Sequence, residues 1–132
     1  MTQLDRSYSM KLVQMHREIH FTVSGFWDVP SMKAFLHELN ECAAPLVGGG
    51  EFSALGDMRH GVPQTKDVAE LIRRHLDASL KAGLTRVAVI DPPPLWKMQY
   101  ERLAGQIEVA FVPDKAAALD WLRRPRELAR SA

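Results

Sequence analysis

Residues 18–39 read EIHFTVSGFWDVPSMKAFLHEL, and the change of period inside that stretch decides the fold. From Glu18 to Phe26, the apolar Ile19, Phe21 and Val23 alternate with His20, Thr22 and Ser24, the period-two pattern of a half-buried strand. Beyond Trp27 the period lengthens, and Met32, Phe35, Leu36 and Leu39 fall on one helical face. Asp28 can cap that helix, and Pro30 fits its first turn, where a missing N–H costs nothing. A strand that hands over directly to an amphipathic helix is the repeating unit of α/β proteins.

Working outward, Met10 to Met15 reads as a preceding strand with only His16 and Arg17 in between. That spacing predicts a hairpin, although neither residue is a favoured turn type. On the other side, Pro45 and Gly48-Gly49-Gly50 end the helix in a loop. Glu51 to Met58 is a third strand, Arg59 to Gln64 a loop, and Thr65 an N-cap for the longest helix. On that helix Val68, Leu71, Ile72, Leu76 and Leu80 form an apolar stripe, bordered by His75 and Ser79, and Gly83 supplies the stop. Thr85 to Ile90 is β-branched and apolar almost throughout, as a strand covered on both faces would be. Pro92-Pro93-Pro94 leads into a helix through Leu95, Met98 and Leu103, Ile107 to Val112 is the last strand, and Asp114 caps a final helix ending near Leu122. The order β-β-α-β-α-β-α-β-α predicts an α/β fold with a mixed, mostly parallel sheet of about five strands, an antiparallel opening hairpin and right-handed crossovers. Residues 10–122 are expected to form one domain, with 1–9 and 123–132 as polar terminal extensions.

The totals agree with one globular domain: 132 residues, 46% hydrophobic and 25% charged. A formal charge of +1 provides no global field toward nucleic acid or an anionic membrane. The single cysteine, Cys42, excludes an internal disulfide and any cysteine-rich zinc site. Residues Met1 to Ser9 hold no apolar signal core, and no apolar run approaches the roughly 18 residues of a membrane span. A cytoplasmic protein without stable membrane insertion is expected. The basic tail of Arg123, Arg124, Arg126 and Arg130 contains Glu127 and lacks interleaved aromatics, so it reads as a solvated terminus and not as a nucleic-acid contact.

The opening hairpin, the strand ending Val23-Ser24-Gly25-Phe26 and the closing Phe111-Val112-Pro113-Asp114-Lys115-Ala116-Ala117-Ala118-Leu119-Asp120-Trp121-Leu122 resemble the SpoIIAA-like group, which takes in STAS and CRAL-TRIO domains. The resemblance covers about residues 10–122. It implies a right-handed β-α superhelix over a mostly parallel sheet. The group's relatives include anti-sigma factor antagonists, domains appended to anion transporters and lipid-binding modules. Its antagonist branch carries a phosphorylatable serine in an Asp-Ser-Ser/Thr-Gly motif after the third strand. Here that place holds Asp57-Met58-Arg59-His60-Gly61-Val62-Pro63-Gln64-Thr65, and the motif is missing; Thr65 is the nearest hydroxyl at a helix start.

In open α/β sheets, ligands gather at the carboxyl ends of the strands. Those ends bring together Phe26, Trp27 and Asp28, then Asp57, Arg59 and His60, then Asp91, and finally Asp114. Helix N-termini point to the same edge and favour an anion. Asp28, Asp91 and Asp114 each have a local task at a helix start. Trp96 and Tyr100, four apart, are neighbours on a helical face offset from Leu95 and Met98, where they could line a ligand groove or a partner surface. The candidate ligand- or partner-binding residues are therefore Trp27, Asp57, Arg59, His60, Thr65, Asp91, Trp96 and Tyr100.

No catalytic, metal or cofactor site is expected. Asp57, His60 and Asp91 share no metal-binding spacing on one element. No serine sits in a G-x-S-x-G elbow, and Cys42 lies on an apolar helix face. The triple glycine lacks the Lys-Ser/Thr of a P-loop and precedes a strand. Two readings stay open: a non-enzymatic regulatory module that works through protein contacts, with a homodimer as the expected assembly, and a carrier of a small molecule or lipid. An enzyme using Asp57 and His60 as an acid–base pair is a third, and it requires the two side chains to converge. An enclosed apolar cavity with a few polar groups at its mouth is the feature that separates carrier from contact module.

Overall fold

The structure, a computed structural model, describes residues 6–125. Arg126, Glu127 and Arg130 of the expected basic tail lie outside the described residues. The chain runs β1 (Ser7–Val13), β2 (Glu18–Ser24), α1 (Val29–Ala43), β3 (Phe52–Asp57), α2 (Lys66–Ala82), β4 (Leu84–Ile90), α3 (Pro94–Ala104), β5 (Glu108–Val112) and α4 (Lys115–Leu122). The strands form one sheet in the order β1-β2-β3-β4-β5, with β1 antiparallel to β2 and every other pair parallel.

Local chemistry sets most of these boundaries. Asp28 accepts from Ser31 N and the Ser31 hydroxyl returns a bond to the Asp28 backbone, a reciprocal cap that starts α1. Thr65 and Asp114 cap α2 and α4 in the same sense, by accepting from Val68 N and Ala117 N. Gly83 ends α2 at φ 119°, a left-handed conformation that glycine adopts without strain.

The first strand departs from expectation. It begins at Ser7 instead of Met10 and ends at Val13 instead of Met15. Ser7 pairs with Ser24 across the ladder, their hydroxyls 2.7 Å apart, and the Tyr8 ring packs edge-on against Phe35 with centroids 5.2 Å apart. These contacts draw residues 7–9 into the strand. The hairpin turn is a 3-10 turn over Gln14–His16, closed by Arg17 at φ 52°. Arg17 tolerates that conformation because its guanidinium is anchored on the glycine loop, donating to the carbonyls of Glu51 (2.9 Å), Leu46 (2.6 Å) and Gly50 (3.2 Å).

Strand alternation divides the interior into two layers. Phe52, Ala54, Val87 and Val89 join Ile19, Met32, Phe35, Leu39, Val68, Ile72, Leu76, Trp96 and Tyr100 in the main core under α1, α2 and α3. Leu55, Ala88 and Ile90 face the other way and pack with Ala118 and Leu122 of α4. Helices that join parallel neighbours with one handedness, in a sheet whose order follows the chain, must all fall on one face. Only α4, after the last strand, folds back across the other. Its C-terminal carbonyls are satisfied by Arg86 of β4, which donates to Trp121 (3.3 Å) and Leu122 (2.9 Å). No described helix is long and apolar enough to cross a membrane.

Arg123 does not behave as part of a solvated tail. Its Nε and Nη2 each lie 3.0 Å from the carboxylate of Glu18, which is only 1% exposed at the start of β2, and His20 Nε2 approaches the same carboxylate at 2.8 Å. Burial alone would raise the Glu18 pKa, but the bonds from Arg123 and His20 outweigh it and hold the carboxyl below its ordinary value.

Candidate functional site

A cavity of about 500 Å³ lies between the sheet and the helices above it. Its floor is Ile19, Phe21 and Val23 of β2, Phe52 and Ala54 of β3, and Leu84 and Val87 of β4. Its walls include Phe35 and Leu39 of α1, Ile72 and Leu76 of α2, and Trp96 and Tyr100 of α3. The space exists because the facing stretches of α1 and α2 carry small side chains. Ala43 and Ala44 stand on one side, and Ala78, Ser79 and Ala82 on the other. Two helices set about 8–10 Å apart need larger residues to fill the gap between them. Asn40, Ala44, Val47 and Ala78 are all exposed there, so this gap is the mouth.

The end of the cavity nearest the carboxyl ends of the strands is closed by side-chain amides. Gln64 accepts from Trp27 N (3.0 Å) and donates to the carbonyls of Gly25 (3.1 Å) and Val62 (2.7 Å). Gln99 in turn brackets the Gln64 backbone at 2.8 and 3.0 Å. The Trp27 indole donates to Ser24 O (3.0 Å), and the Trp96 indole contacts Met58 Sδ (3.3 Å). Gly61 lies directly against Trp96: a Cβ there would sit 2.5 Å from the indole Cδ1, so only glycine fits.

Few polar groups reach the cavity wall. His75 Nε2 and Ser79 Oγ are 3.4 Å apart, one turn from each other on α2. Burial lowers the His75 pKa, which favours the neutral ring. Tyr100 is 3% exposed, and its hydroxyl makes no hydrogen bond to any described residue. Burial raises the phenol's pKa, so it stays protonated and can donate. Among the described residues, no lysine or arginine lines the cavity.

The structure brings three of the eight sequence candidates together here: Trp27, Trp96 and Tyr100, the last two edge-to-face with centroids 5.7 Å apart. The others go elsewhere. Asp57 points to the opposite face of the sheet, and both its oxygens are taken by Arg59 (3.0 and 2.7 Å), whose guanidinium holds the carboxyl below its usual range. That pair borders a polar depression of about 410 Å³ with Lys11, His20, Thr22, Asp114 and Lys115, over the part of the sheet that α4 leaves uncovered. His60 is exposed and makes no side-chain bond to Asp57; its carbonyl accepts from Gly25 N at 3.2 Å. The convergence an acid–base pair requires is therefore missing. Thr65 is occupied as the α2 cap, and Asp91 is exposed at φ 41°. At three of the four helix N-termini the expected anion site is already taken, since α1, α2 and α4 each have a capping oxygen, whereas α3 has no side-chain cap. Among the described residues, no three His, Cys, Asp or Glu side chains group as a metal site would require.

Sequence reasoning placed His75 and Ser79 at the border of a stripe and did not single out Gln64 or Asn40. The small residues of α1 and α2 were the available signal, but their importance depends on the two helices facing one another.

No protein-family model matches the chain, and no curated protein matches it. Among solved structures, an uncharacterised DUF3478-family protein with a SpoIIAA-like fold from Shewanella loihica PV-4 is 23% identical, with a TM-score of 0.64, over 89% of this chain and 93% of that one. The anti-sigma factor antagonist SpoIIAA in its unphosphorylated form is 14% identical, with a TM-score of 0.53, over 89% of this chain and 96% of that one. The chain has the SpoIIAA-like fold.

Proposed function

We propose that this chain is a non-enzymatic, cytoplasmic binding module that takes up a small apolar ligand between α1, α2 and the sheet. The observation that carries this reading is the cavity of about 500 Å³ with hydrocarbon walls. Cavities of roughly 300–1,000 Å³ enclose small ligands, whereas ordinary cores leave few voids larger than a water molecule. Left empty, its apolar walls face water through the mouth, which costs about 25 cal/mol per Å² of apolar surface. An occupant offsets that cost. The floor and both flanking helices run the length of the strands, roughly 20 Å, which suits an elongated molecule.

Nile red titration tests the reading. Wild-type protein is expected to bind the dye saturably, and Ala78→Phe, which plugs the mouth at an exposed position, is expected to weaken binding about tenfold with an unchanged circular dichroism spectrum. Absence of saturable binding to wild type would overturn the reading.

A second reading, a protein-contact module that forms a homodimer, is favoured by a separate observation. Leu95 and Met98 stand exposed one turn apart on the outer face of α3, at 68% and 52%. Light scattering decides it: a dimer that becomes monomeric in Leu95→Lys/Met98→Lys supports it, and a wild-type monomer at all concentrations removes it.

A further inference from the structure

The cavity is apolar but not featureless, and the placement of its polar groups restricts its occupant. Resting on the ligand-binding reading above, we infer that the ligand is an uncharged amphiphile, a single apolar body with one hydroxyl or carbonyl group, and that this group bonds the hydroxyl of Tyr100 inside the cavity.

Three observations converge. First, Tyr100 is a wall residue 97% removed from solvent whose hydroxyl has no hydrogen-bond partner among the described residues. The hydroxyl keeps some accessible surface, so a partner can reach it, and polar groups in such apolar surroundings gain from one. Its neighbour Trp96 shows the contrast, because the indole N–H is already directed at Met58 Sδ. Second, the polar groups deeper in the cavity are occupied, and Asn40 stands in solvent at the mouth. Gln64 spends both amide protons and its oxygen on backbone partners, and His75 and Ser79 face each other. Third, the lining contains no lysine or arginine among the described residues, and burial favours the neutral form of His75. A carboxylate or phosphate inside would have no compensating cation, and an unpaired charge in such surroundings is strongly disfavoured. An alcohol or ketone has no such penalty and can bond the phenol.

The test displaces Nile red from wild-type, Tyr100→Phe and Ser79→Ala proteins with three probes near neutral pH: decanol, decanoate and pentylbenzene. Wild type is expected to bind decanol at least about tenfold more tightly than decanoate, the scale set by an uncompensated buried charge. Tyr100→Phe is expected to weaken decanol about three- to tenfold, the net worth of one hydrogen bond, and to leave pentylbenzene within about twofold. Ser79→Ala is expected to leave decanol within about twofold, in keeping with a hydroxyl bonded to His75. Equal affinity for decanoate and decanol overturns the inference, since the head group would then sit in water at the mouth. A loss of decanol affinity in Ser79→Ala but not in Tyr100→Phe also overturns it. Pentylbenzene binding without any preference for decanol sinks this inference alone, whereas failure of Nile red and all three probes to bind sinks the cavity reading with it.

Discussion

Glu18 carries the sharpest electrostatic consequence of any single residue. Its folded pKa lies below its ordinary value of 4.5, so its contribution to stability is fully present above that value and is lost as pH falls through the folded one. Acid titration of unfolding free energy is expected to decline below about pH 4.5, and Glu18→Gln to flatten that limb. At neutral pH, Arg123→Ala leaves the buried carboxylate with only His20, and urea denaturation is expected to show a loss of about 3 kcal/mol, partly restored by adding Glu18→Gln. None of this was legible in the sequence. Glu18 read as the first residue of a strand and Arg123 as the start of a solvated tail; their partnership spans 105 residues, and no local period encodes it. Gly61 is a second such case. Gly61→Ala forces a methyl into the Trp96 indole and is expected to cost about 2 kcal/mol by thermal melt while weakening dye binding, because the displaced ring lines the cavity.

At the level of elements, the sequence was legible wherever one segment carried its own signals. The capped starts of α1, α2 and α4, the glycine stop of α2 and the doubly covered β4 all follow from residues within a turn of the feature they set. The first strand was misplaced because its polar opening, Ser7 to Ser9, is held by Ser24, Phe35 and Trp27 and not by its own pattern. The same distinction governs Thr65. Its hydroxyl serves the α2 backbone, so Thr65→Ala is expected to lower stability by about 1 kcal/mol in urea while dye affinity stays within about twofold. A large affinity change without a stability change would return Thr65 to the list of binding residues.

For the whole molecule, the candidate site was legible only by halves. Trp27, Trp96 and Tyr100 declared themselves as aromatics at a strand end and at helical spacing, and they do share one cavity. Asp57 and Arg59 belong to the other side of the sheet because β3 alternates, with Phe52 and Ala54 toward the helices and Ser53, Leu55 and Asp57 away from them. The cavity itself is an absence, produced by alanines on two helices that meet only in three dimensions. Its occupation has a global readout. A ligand at a hundred times its dissociation constant is expected to stabilise the fold by about 2.7 kcal/mol, visible as a concentration-dependent rise in Tm that Ala78→Phe abolishes. The sheet order has a different consequence. Because every strand pairs with the strand adjacent to it in sequence, the sheet can grow one strand at a time as the chain leaves the ribosome, and no early strand need wait for a distant one. The bond from Arg123 back to Glu18 is the exception, a clasp that can close only after all five strands have been synthesised.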